Sequence, residues 1–128
     1  MIASALGTEF GRALEPLMDV PGALGAVLAD DRGYAVDYIR DDDRISELDV
    51  QIVGAQLGHA LEQLDGTARA RGLGAPVVLL EGRDRALLAG PLSDGFALAF
   101  LLRRPANVAL AMQRFGVGRD LIGRLLDA

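Results

Sequence analysis

The chain has 128 residues, about half of them apolar, no cysteine and one histidine, His59; this suffices for one buried core and excludes disulfide frameworks, thiolate metal sites and multi-histidine zinc centres. Its formal charge is −5, and its 13 basic residues are all arginine and scattered along the chain, which argues against a nucleic-acid footprint. The longest apolar run, residues 96–102, falls far short of the about 20 residues a helical membrane span needs, and Glu9 and Arg12 interrupt the N-terminal segment where a secretory leader would be apolar, so a cytoplasmic address is expected.

In residues 4–19 Leu6, Phe10, Ala13, Leu14 and Leu17 recur at intervals of three and four, the signature of a helix with one buried stripe, which Pro16 ends or kinks. Pro21-Gly22 then forms a turn. Proline fixes φ near −65° and glycine accepts the positive φ that a type II turn requires. A strand over 23–30 reverses at Asp31-Arg32-Gly33 and returns over 34–40. The glycines of this stretch invite comparison with a phosphate loop. Such a loop sits between a strand and a helix N-terminus, whereas Gly22 and Gly25 precede a strand, and neither the Walker spacing nor GxGxxG is present.

The longest periodic segment, 44–72, has two apolar faces when its residues are set about 100° apart. Val50, Val53, Leu57, Ala60, Leu61, Leu64 and Ala68 form one broad stripe. Ile45, Leu48, Ile52, Ala55 and His59 lie opposite. An ordinary surface helix needs only the first, so the second is expected to be an interface, the alternative being that the terminal helices cover it inside one monomer. Asp43 or Ser46 can cap the start, and Gly72 or Gly74 can end it. His59 reads as a pH-sensitive interface residue or as a hydrogen-bonded histidine at a helix edge. The acidic run Asp41, Asp42, Asp43 lacks the spacing and closing glutamate of a calcium loop and reads as a solvated lead-in to the helix.

Three short aliphatic runs follow, 77–82, 85–92 and 95–103, separated by turn residues and expected to be consecutive antiparallel strands. In the last, Phe96, Leu98, Phe100 and Leu102 alternate with Ala97, Ala99 and Leu101, so both faces are apolar and helices must cover both sides. Arg103 and Arg104 end that strand and are candidate partner contacts. A closing helix over 105–128 takes Pro105 in its first turn, with Val108, Ala111, Met112, Phe115, Ile122 and Leu126 on one stripe and a possible bend at Gly116 and Gly118.

The predicted fold is therefore of the α+β type within the α/β class: one domain spanning 1–128, in the order helix, two strands, long helix, three strands, helix. This order, with VPGALGAVLADDRGYAV, the long mid-chain helix and VVLLEGRDRALLAGPLSDGFALAFLL, resembles the Roadblock family, named for its dynein light chains. The resemblance rests on Pro21, Gly22, Gly25 and the Asp31-Arg32-Gly33 turn, and covers residues 6–126. It implies a five-stranded antiparallel sheet between helices. It further implies a homodimer formed through the second helix and the third strand, which here would use Ile45, Leu48, Ile52, Ala55, His59, Val77 and Leu79. Bacterial members look like partners of small Ras-like GTPases, as activators of hydrolysis or as scaffolds, so the resemblance implies a non-enzymatic regulator with no cofactor. The alternative reading is a small-molecule sensor or structural interaction module of profilin-like or PAS-like plan.

Overall fold

The computed structural model describes residues 2–4 and 8–127, without the side chains of residues 2–4, 58 and 59. Its elements are β1 (Ile2–Ser4), α1 (Glu9–Leu14), a 3-10 turn (Glu15–Asp19), β2 (Ala23–Ala29), β3 (Ala35–Asp41), α2 (Glu47–Ala70), β4 (Val78–Glu81), β5 (Arg85–Pro91), β6 (Ala97–Arg103) and α3 (Val108–Asp127). All strand pairings are antiparallel, and the sheet order is β1-β3-β2-β6-β5-β4. The five predicted strands are present. A sixth, β1, adds a short edge beside β3 through Ile2↔Asp41 to Ser4↔Ile39.

The first helix is shorter than the periodicity predicts. Thr8 caps it, its hydroxyl accepting from Gly11 N–H at 3.4 Å, and Leu6 lies outside the described residues. Pro16 falls inside the 3-10 turn that follows, where its missing N–H costs nothing. Gly22 and Gly33 take φ of +88° and +86°, as their turns require. At Gly25 the reason for glycine is space, since a Cβ there would stand 2.9 Å from the Ile39 carbonyl oxygen of β3.

β2 is buried along its whole length, and β6 at every residue but the last, because helices cover both faces. On one face, α1, the 3-10 turn and α3 enclose Ala26, Leu28, Leu88, Leu98, Phe100 and Leu102. On the other, α2 alone covers Leu24, Val27, Ala89, Ala97, Ala99 and Leu101. The small residues let α2 lie close to the sheet: a Cβ on Gly54 would meet Val27 Cγ2 at 3.2 Å. Ser46 caps α2 by accepting from Asp49 N–H at 3.1 Å, and the chain leaves the helix through Gly72 at φ +71°.

Two details of the predicted helices are corrected. Of the α2 stripe, Val50, Leu61 and Ala68 are buried and Val53 and Leu57 partly so, but Ala60 and Leu64 are exposed, lying to one side of the row that meets the sheet. α3 begins at Val108, capped by the Asn107 side chain accepting from Leu110 N–H at 3.1 Å, so Pro105 stands before the helix rather than in its first turn. Its buried row is Ala111, Phe115, Gly118 and Ile122, which turns Met112 outward. Gly118 belongs to that row because it packs on Leu17, and α3 runs without interruption through it.

Candidate interaction surface

The 24 residues of α2 span about 36 Å and present two flanks beside the row that contacts the sheet. The β2–β3 turn crosses close to one of them. A Cβ on Gly33 would stand 3.1 Å from both Cα and the carbonyl oxygen of Ala55, and Gly33, Tyr34 and Ala35 line a cleft of ≈ 370 Å³ with Gln51, Ile52 and Ala55. Leu48 stands on the same outer side, 63% exposed.

The opposite flank carries Val53, Leu57, Ala60 and Leu64. Val53 and Leu57 pack into the same cluster as Val78 of β4 and Leu87 of β5. Register then settles which β4 side chains continue this surface. Leu80 pairs with Leu87 and Val78 with Ala89, so Val78 and Leu80 point to the α2 side; Leu79 pairs with Leu88, which lies in the core beneath α3. Leu80 is 53% exposed. β4 is also an edge of the sheet, hydrogen-bonded only to β5 among the described residues. An apolar helix flank thus meets an apolar strand whose outer backbone edge is open, a combination that invites pairing with another strand.

The seven residues implied as a dimer surface are not brought together. Ile45 is a correction: it is buried in the chain's own core beneath α2, its carbonyl held by Arg40 Nη1 at 3.0 Å, because it lies in the loop before the helix and turns in. Leu48, Ile52 and Ala55 share the outer, hairpin side of α2. Val77 sits just before β4, and Leu79 faces the α3 side of the sheet. The His59 side chain lies outside the described residues. Sequence reasoning missed Leu80, whose signal is its alternation with Leu79 once the pairing partner of each is known.

Arg104 is committed within the chain. Its Nη1 donates to Gly82 O at 2.7 Å, its Nη2 lies 3.7 Å from Glu81, and its N–H reaches Asp84 O at 2.9 Å, which braces the β4–β5 turn. Arg103 keeps an exposed side chain while its N–H donates to Gly22 O at 2.7 Å. The carboxylates of Asp41, Asp42 and Asp43 gather within 4.8 Å of one another; Asp41 pairs with Arg44 at 3.2 Å and accepts from Asp43 N–H, bracing the loop into α2.

The sequence did not single out Asp37, which is fully buried in β3. It accepts from the Thr8 hydroxyl at 2.6 Å, from Thr8 N–H at 3.2 Å and from Tyr38 N–H at 2.8 Å, tying the cap of α1 to the sheet. Its neighbour Tyr38 points the other way, under α2. Burial, followed by a hydrogen bond to the Glu47 carboxylate, holds its phenol above the usual pKa.

Architecture of this kind recurs among solved structures. Myxococcus xanthus MglB superposes with a TM-score of 0.78 at 14% identity, over 96% of this chain and 98% of that one. A Roadblock/LC7 domain from Streptomyces avermitilis gives 0.74 at 19% identity, over 94% and 100%. The chain has the Roadblock/LC7 fold. The gliding protein MglB of Thermus thermophilus matches with a TM-score of 0.74 at 13% identity, over 88% of this chain and 84% of that one. Neither a protein-family model nor a curated protein matches the sequence. Among the described residues, no helix is long and apolar enough to cross a membrane.

Proposed function

We propose that this Roadblock-fold chain is a homodimeric, non-enzymatic regulator or scaffold in the cytoplasm that binds a small Ras-like GTPase and modulates its nucleotide state. The observation that carries the proposal is that Val53 and Leu57 of α2 and Val78 of β4 pack on one apolar cluster, with the half-exposed Leu80 on the same face of β4 beside an open strand edge. Two copies meeting there by a two-fold axis would bury it twice, pairing strand with strand and helix flank with helix flank. The likeness to MglB and the sequence resemblance to Roadblock proteins favour a GTPase as partner. Paired α2 helices would then offer their outer sides, with Leu48, Ile52 and Tyr34, as the docking platform. Arg103 is a candidate for steering an acidic partner; Arg104 serves the β4–β5 turn first.

The test has two arms. Sedimentation across a concentration series should give a dimer. The purified chain should then bind the GTPase encoded nearest its gene in one nucleotide state in preference to the other, and should change its rate of hydrolysis or exchange. A persistent monomer, or a dimer that binds that GTPase in neither state, would count against the proposal.

A further inference from the structure

β4 carries the pairing edge, and its entry has a particular construction. The β4–β5 ladder runs from Val78↔Ala89 to Glu81↔Ala86, and Gly82 N–H closes the turn on Arg85 O at 2.8 Å. That bond makes 82 and 85 a hydrogen-bonded pair. Such pairs recur at every second residue of an antiparallel ladder, so 80/87, 78/89 and, continuing the register, 76/91 belong to the same set. Residues 76 and 91 are both proline. Neither has an N–H to give, and two carbonyl oxygens are left at the ladder's end without the backbone donor each would ordinarily meet.

A side chain from α3 takes their place. Arg119 Nη2 donates to Pro76 O at 3.0 Å and to Pro91 O at 2.7 Å. The guanidinium reaches them across Gly90, which pairs with Leu98 and so faces α3. A Cβ on Gly90 would stand 3.0 Å from Arg119 Cζ and 3.0 Å from Pro76 O, so the absence of a side chain is what lets the guanidinium lie on the sheet. Burial lowers the Arg119 pKa, and the carboxylates of Asp65 and Asp120 oppose that shift. Asp65 uses Oδ2 for Arg69 at 2.9 Å, while its Oδ1 is buried with no hydrogen bond.

We infer that Arg119 is a splint for the pairing strand, supplying the two donors that Pro76 and Pro91 lack and holding the start of β4 in register. The positioning role toward a second copy rests on the dimer reading above; the splint itself does not. Hydrogen bonds from a charged donor are the stronger kind, and an apolar residue at 119 would leave two carbonyls unsatisfied.

The experiment is hydrogen exchange on the full chain in a Leu80→Asp background, where pairing between copies is removed, followed by sedimentation of the same substitutions with Leu80 intact. Arg119→Met is expected to speed exchange of the residue 78 and 80 amides, the two of β4 that bond to β5, about ten- to a hundredfold while β2 and β6 keep their protection. Arg119→Lys should recover part of it, since an ammonium can donate but is a compact, more strongly hydrated charge on a flexible stem. Gly90→Ala, which pushes the guanidinium aside, should reproduce the Arg119→Met pattern and guards against simple misfolding of one variant. With Leu80 intact, both should weaken the dimer about tenfold. Unchanged β4 exchange in both variants, or protection lost equally over the whole chain in both, would overturn the splint. A splint present in a wild-type chain that never dimerises would instead remove the dimer reading.

Discussion

If copies pair through β4 and the near flank of α2, Leu80 is where a small change should act most selectively. Full burial of a leucine contributes about 1.5–3 kcal/mol. Leu80 is 53% exposed in the single chain, so about half of this, roughly 1 kcal/mol, remains to be gained per copy. A two-fold interface counts it twice, giving about 2 kcal/mol, or roughly 30-fold in the dimer dissociation constant for Leu80→Ala. Leu80→Asp adds two carboxylates brought toward each other out of water and should exceed about 100-fold. Within one copy the position is a half-exposed edge, so either change should cost at most about 1 kcal/mol of stability. Sedimentation velocity reads the first quantity and a denaturant melt the second. Ile52→Arg is the internal control: on the hairpin side of α2, it should leave the dimer intact and impair partner binding. A dimer indifferent to Leu80→Asp but broken by Ile52→Arg would place the interface on the other flank and refute the register argument.

Asp37→Ala should destabilise the chain by about 2–4 kcal/mol in a urea melt, since it strips acceptors from Thr8 and from the Tyr38 amide in a buried setting; a change under about 0.5 kcal/mol would mean that these bonds contribute little. Tyr38 has a raised pKa, so the folded state holds its proton more tightly than the unfolded one, and the associated stability is present below about pH 10 and lost as pH rises through the folded value. The chain has no lysine or cysteine and only one other phenol, Tyr34, so melts across that range should show a decline that Tyr38→Phe reduces, with Tyr34→Phe as the control. Gly25→Ala should cost about 1–3 kcal/mol by forcing a Cβ against the Ile39 carbonyl; a melt matching the wild type would show that β3 can move aside.

Much of the fold was legible because its signals are local. The turn at Gly22, the hairpin at Gly33, the Ser46 cap and the two-sided alternation of β6 all follow from chemistry within a few residues. What failed was direction. The periodicity of α2 shows that it carries more apolar surface than one row can bury, yet Ile45 and Leu48 look alike on a helical wheel although one precedes the helix and turns into the core. Likewise, Leu79 and Leu80 are interchangeable in composition, and only the pairing of Leu80 with Leu87 assigns it to the α2 side. Asp37 gave no signal because its partner, Thr8, is 29 residues away. Pro76, Gly90, Pro91 and Arg119 each have an ordinary local explanation, and their joint role appears only when β4 and β5 lie side by side beneath α3.

The unequal covering of the sheet explains why such a surface exists at all. Six strands at about 4.8 Å spacing make a sheet about 24 Å across, whereas a helix with its side chains is about 10 Å wide. On one face α1, the 3-10 turn and α3 share the task, and Leu88 beneath them is fully buried. On the other α2 works alone, centred on β2 and β6, and one helix cannot reach both edges. A strip must therefore remain on each side of it. Toward β3 the strip is crossed by the hairpin turn and closes to the cleft beside Tyr34. Toward β4 nothing among the described residues crosses it, and Leu80 stands half exposed next to an open ladder. A second α2, arriving with its own β4, has the width and the apolar flank to cover that strip. A single copy could close it only by folding its own chain over β4, and the loop leading into β4 is instead fixed to the opposite face of the sheet by Arg119.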